Sequence, residues 1–120
     1  MSTILIVDDE YLIAEILSFA LEDEGYLTVT AGSGSRALTI LDRERPHLII
    51  TDYMMPGMNG IEFAEAARSN KQFETVPIIL MSGAQAHLGV SRPDLFAAVY
   101  EKPFDIGLMV QNVKRLLGGL

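Results

Sequence analysis

Three short runs without a single polar residue, Ile4-Leu5-Ile6-Val7, Leu48-Ile49-Ile50 and Ile78-Ile79-Leu80-Met81, constrain this chain more than any other feature. A strand with one face in water alternates apolar and polar residues, whereas a run that is apolar throughout reads as a strand covered on both faces. Each run stops at residues that carry chemistry: Asp8-Asp9, Thr51-Asp52 and Ser82. In an open α/β sheet the crevice beyond the carboxyl ends of the strands is where ligands bind, so these polar residues are site candidates from the outset.

The intervening segments read as helices. From Tyr11 to Glu24 apolar residues recur at helical spacing (Leu12, Ile13, Ile16, Leu17, Phe19, Ala20, Leu21), and Gly25 supplies a stop. Residues 26–31 read as a strand, and Ser33 or Ser35 can cap a helix that runs through Leu38 and Leu41 and ends before Pro46. The spacing predicts strand three over 47–51, a helix over 61–69 capped by Asn59, and strand four over 76–81. Gly89 and Pro93 interrupt the next segment, so a short or irregular helix is expected there, with Ser91 and Asp94 resembling a capping box. Strand five is expected over 96–101, followed after Pro103 by an amphipathic helix over 106–117 and the turn Gly118-Gly119. Five strands alternating with five helices, joined by right-handed crossovers, make a doubly wound parallel sheet.

A chain of 120 residues is expected to form one domain over 1–120, able to bury roughly two-thirds of its unfolded surface. The formal charge of −7 argues against direct nucleic-acid binding, which needs clustered Lys and Arg. With no cysteine there is no disulfide or thiol chemistry. The start lacks a basic n-region and its apolar run is too short for a signal peptide or membrane span, so a cytoplasmic location and no membrane insertion are expected.

Four places coincide at the carboxyl edge of this sheet: Asp8-Asp9, Asp52, Ser82 and Lys102. If strands one and three are neighbours, three carboxylates face each other. Two like charges about 4 Å apart at an effective dielectric of about 20 repel by about 4 kcal/mol, so positive charge must share the pocket. Oxygen ligands of this kind suit Mg²⁺, and Lys102 supplies a second, movable cation. Between them an oxygen of Asp52 can accept a phosphoryl group, a transfer that needs positioning and charge neutralisation more than covalent help. Alone, each signal is weak: Asp8-Asp9-Glu10 is also how a helix cap looks, and Ser82-Gly83 is ordinary loop composition.

The motifs Val7-Asp8-Asp9-Glu10, Asp52-Tyr53-Met54-Met55-Pro56-Gly57-Met58-Asn59-Gly60, Ser82-Gly83-Ala84 and Lys102-Pro103-Phe104, in that order along the chain, resemble the receiver domains of bacterial two-component response regulators. The resemblance, to the stand-alone type, implies a flavodoxin-like sheet of order 2-1-3-4-5. It implies that Asp52 is the phospho-acceptor, that Asp9 and Asp52 bind Mg²⁺ directly, that Asp8 acts through a water and that Met54 gives its backbone carbonyl. Ser82 and Lys102 would contact the phosphoryl oxygens, with the Lys102-Pro103 bond commonly cis. The implied donor is the phosphohistidine of a sensor histidine kinase or phosphotransferase, docking on helix one and the loops around Asp52 in a salt-dependent manner, and the output is an unidentified downstream protein.

Val99 occupies a position, three residues before the lysine, where such receivers usually carry Tyr or Phe; the neighbouring Tyr100 must point to the opposite face of the strand. This puts the coupling from Asp52 to an output face in question. Met54 and Ala84, beside the acceptor, are poorly suited to orient an attacking water, so slow self-dephosphorylation is expected. The chain is expected to catalyse only its own phosphorylation and dephosphorylation. Two rivals stand beside this reading: a receiver-like interaction module that is not switched by phosphorylation, and a metal-dependent phosphatase, although Tyr53-Met54 offers no second acid after the nucleophile.

Overall fold

The computed structural model describes residues 2–118. Five parallel strands, β1 (Thr3–Val7), β2 (Leu27–Ala31), β3 (Leu48–Asp52), β4 (Ile78–Ser82) and β5 (Ala98–Glu101), lie in the order β2-β1-β3-β4-β5. Five helices alternate with them: α1 (Tyr11–Glu22), α2 (Gly34–Glu44), α3 (Gly60–Arg68), α4 (Ala86–Val90) and α5 (Ile106–Leu116). A 3₁₀ turn, Lys71–Phe73, follows α3 and was not foreseen from the sequence. The expected Gly119 of the closing turn lies outside the described residues.

Side-chain alternation along the strands builds two cores from one sheet. Leu5, Val7, Ile49, Ile78 and Leu80 pack with Ala37, Ile40, Leu41, Phe63, Ala64 and Ala67 of α2 and α3. Ile4, Ile6, Leu48, Ile50, Ile79 and Met81 pack with Ala14, Leu17, Leu21, Met109, Val110 and Val113 of α1 and α5. That is why β1, β3 and β4 are apolar at nearly every position: neither face meets water, and each buried Leu or Ile contributes about 1.5–3 kcal/mol.

Local chemistry sets the ends. Ser33 caps α2, its Oγ accepting from Arg36 N, and the helix stops at Arg45 in the left-handed region just before Pro46. Asn59 and Glu62 form a capping box at α3, each side chain accepting from the other's backbone N–H. The capping box expected at Ser91 and Asp94 is absent: Ser91 Oγ donates to Leu88 O at the end of α4, and Asp94 pairs with Arg92 at 3.1 Å. The charged pair outcompetes a cap that the spacing alone suggested. The expected short helix is α4, barely more than one turn. Strand five starts two residues later than expected, because Phe96 is buried in the loop that precedes it.

Candidate functional site

The register of the central strands brings the polar ends together. Val7 pairs with Thr51 across β1 and β3, and Asp52 with Met81 across β3 and β4, so Asp8 and Asp52 emerge on neighbouring strands. Asp8 and Asp52 are only 2% and 3% exposed, and Ser82, the last residue of β4, is fully buried. On the other side, Lys102 N donates to Ser82 O at 2.7 Å, which anchors the end of β5 beside β4. The Lys102-Pro103 bond is cis, as the resemblance implied.

The loop after Asp52 is folded back on its own strand. Gly57 has a φ of +78°, which an L side chain rarely adopts, and Gly60 N donates to Tyr53 O at 2.8 Å. A Cβ on Gly60 would overlap the Asp52 carbonyl and come 2.9 Å from Tyr53 Cα, so glycine is required where α3 begins. Met54 is exposed in this loop, whereas Met55 is buried.

Lys102 Nζ stands 3.0 Å from Asp52 Oδ1 and 3.8 Å from Glu10 Oε1. Burial, opposed in part by Lys102, raises the Asp52 carboxyl above the usual carboxylate range. Asp8 is pushed up to about 6, mainly by burial and further by the charge of Asp52, although its Oδ1 accepts from Glu10 N at 2.8 Å. For Lys102, burial pulls the pKa down, but the hydrogen bond and charge of Asp52 outweigh it and the net shift is upward.

Carboxylate oxygens of Asp8, Glu10 and Asp52 lie within 4.8 Å of one another. Asp9 is exposed and lies outside that group, although its charge also raises the pKa of Asp52. The donor set fits a hard divalent cation: it is all oxygen, it carries excess negative charge, and Asp8 Oδ2 is buried with no hydrogen-bond partner among the described residues. Ser82 Oγ is unpartnered in the same sense. Glu10 is the member that sequence reasoning missed. It belongs to the acid triplet, but the triplet resembled a cap; in the structure Glu10 occupies the N-cap position of α1 without using its side chain there.

Two strand-end carboxylates, a lysine on one of them and a buried hydroxyl stand within one fold of order 2-1-3-4-5, and the family model for the response regulator receiver domain matches residues 4–114. The chain belongs to the response regulator receiver family. It is 37% identical over 116 residues to sporulation initiation phosphotransferase F of Bacillus subtilis, covering 95% of this chain and 92% of that protein. It is 42% identical over 79 residues to the DNA-binding response regulator MtrA of Mycolicibacterium smegmatis, covering 66% of this chain but 33% of the relative. The chain thus spans about a third of the length of such mycobacterial regulators. Among solved structures, a response regulator from Chloroflexus aurantiacus superposes with a TM-score of 0.89 at 29% identity, covering 98% of each chain. The chemotaxis protein CheY4 of Vibrio cholerae superposes with a TM-score of 0.86, also at 29% identity, covering 97% of this chain and 98% of that one.

Among receivers, this one combines the fold and the acid pocket with Val99 on β5. Val99 packs on the α2–α4 side of the sheet, while Tyr100 packs on the α1–α5 side, 5.6 Å from the ring of Phe104. The alternation expected from the sequence therefore holds. No helix among the described residues is long and apolar enough to cross a membrane.

Proposed function

We propose that this receiver accepts a phosphoryl group on Asp52 from the phosphohistidine of a sensor kinase or phosphotransferase, in a Mg²⁺-dependent reaction that changes its binding to a downstream protein. The observation that carries this reading is the 3.0 Å approach of Lys102 Nζ to Asp52 Oδ1 in a pocket walled by Asp8 and Ser82.

An Asp52 oxygen attacks the phosphorus, the phosphorus–nitrogen bond breaks, and the imidazole leaves with the bond's electron pair. Lys102 moves from the carboxylate to a phosphoryl oxygen, which needs only rotation of a flexible stem. Ser82 Oγ, without another partner among the described residues, donates to a second phosphoryl oxygen. Asp9, Asp52 and the Met54 carbonyl are the ligands proposed for Mg²⁺, with Asp8 holding it through a water; the ion would supply charge neutralisation between the carboxylates and the incoming phosphoryl group. The chain's own chemistry is confined to acquiring and slowly losing this group.

The donor docks on α1. Its outer face exposes Tyr11, Leu12, Ile16 and Phe19, and a groove of about 380 Å³ runs between Ile13, Ile16 and Leu17 of α1 and Pro103, Phe104 and Ile106. An apolar patch of this kind beside the acid pocket suits a helical donor domain, with Asp9 and Glu10 at the rim giving the salt dependence.

Phosphoramidate carries the same phosphorus–nitrogen bond as phosphohistidine. With Mg²⁺ it should generate an alkali-labile acyl phosphate on this chain, abolished by a chelator; a product that is stable to alkali, or formed equally well in the chelator, sinks the reading.

A further inference from the structure

We infer that Glu10 is a working member of the cation site, a further carboxylate that binds the divalent ion and shares Lys102 with Asp52. This deepens the reading above and rests on the site holding such an ion. Three observations place Glu10 there. First, its backbone is fixed: Glu10 N donates to Asp8 Oδ1 at 2.8 Å, and Glu10 O accepts from Ile13 N and Ala14 N at 3.1 and 3.2 Å in the first turn of α1. Second, its side chain is not spent on capping that helix. Third, the carboxylate turns toward the pocket instead: it lies 3.8 Å from Lys102 Nζ and within 4.8 Å of oxygens of both Asp8 and Asp52.

Oxygens of Asp8, Glu10 and Asp52 lie within 4.8 Å of one another, whereas ligands about 2.1 Å from an octahedral ion stand about 3–4.2 Å apart, so closing the set takes a side-chain shift of up to about 2 Å. The buried, unpartnered Asp8 Oδ2 is the independent sign that this cluster awaits a ligand and is more than a set of solvated acids. The side chain of Glu10 is 62% exposed, so it can swing onto the ion without disturbing the core. With an ion bound, Glu10 and Asp52 would both face it and Lys102 would be free for the phosphoryl group.

The test is a titration with Mn²⁺, an oxygen-seeking ion of the same class whose free form gives an electron paramagnetic resonance signal, followed by displacement with Mg²⁺. Glu10→Gln should raise the Kd for both ions about tenfold, the scale on which groups around a metal act. Glu74→Gln, which removes the same charge from an exposed position elsewhere, should leave both Kd values unchanged. A Glu10→Gln protein with the wild-type Kd, beside an Asp52→Asn protein that has lost affinity, overturns the role of Glu10 and leaves the proposed function standing. Wild-type protein that binds neither ion overturns both.

Discussion

Gly89 of α4 lies directly on Val99 of β5. A Cβ at Gly89 would come 3.1 Å from Val99 Cγ2 and would overlap Leu80 Cδ2, and Leu80 is fully buried. Glycine inside a helix ordinarily costs about 1 kcal/mol relative to alanine, so Gly89→Ala should stabilise if helix propensity decides. Overpacking a tight core costs about 1–3 kcal/mol, and Leu80 has nowhere to go. Net destabilisation is therefore expected, measurable as a lower denaturant midpoint with the slope unchanged.

The same contact bears on Val99. In this receiver the helix sits where an inward aromatic ring would need room, so Val99→Tyr should destabilise through overpacking and leave Asp52 labelling intact. A Val99→Tyr protein as stable as wild type would show that α4 yields easily.

Lys102 competes with any cation for Asp52. Lys102→Ala should slow labelling of Asp52 by a small-molecule donor about a hundredfold, because a preorganised cation aimed at the transferring group is lost. Cation affinity should hold or rise, since the remaining carboxylates are no longer neutralised. Loss of both labelling and cation binding would mean instead that the pocket had collapsed.

Met54 is exposed two residues beyond Asp52, and Ala84 is exposed after Ser82. Neither can hydrogen-bond a water in line with the phosphorus. The aspartyl phosphate should thus be long-lived, and Met54→Asn should shorten its lifetime about tenfold by orienting the attacking water. Decay of the acid-quenched phosphoprotein gives the number; a lifetime of seconds in the wild type contradicts this.

The buried acids set a pH dependence. Asp8 rises from 3.8 to about 6 on folding and Asp52 shifts upward as well, both mainly through burial. The folded chain then holds more protons than the unfolded chain across that window, so stability falls as pH rises from about 4 through about 6. Without divalent ions, thermal melts should show a higher Tm near pH 5 than near pH 7. Mg²⁺, proposed to bind the ionised acids, should raise Tm more at the higher pH. A flat profile, or one of opposite sign, would place these carboxyls outside the folded pocket.

Much of this was legible in the residues. The unbroken apolar runs marked β1, β3 and β4 because burial on both faces excludes polar side chains, and the polar residue after each run marked the candidate pocket. Asn59 and Ser33 announced their helices because capping is local. What the chain concealed depends on contacts distant in sequence. Arg68 donates from its guanidinium to Phe73 O, Glu74 O, Val76 O and Leu95 O, clamping the end of α3 to the segments before β4 and β5. No spacing rule announces that clamp. Arg92, tied to Glu65 and Asp94, similarly overrode the apparent cap at Ser91. The turn of the Glu10 carboxylate into the pocket, with Asp9 left in solvent, depends on how the chain leaves β1 and not on residue type.

The central claim is that Asp52 carries the phosphoryl group. Intact-mass measurement after incubation with acetyl phosphate and Mg²⁺ tests it most directly. The wild-type chain should gain the mass of one phosphoryl group and Asp52→Asn should gain none; no gain in the wild type, or an equal gain in the variant, would contradict it.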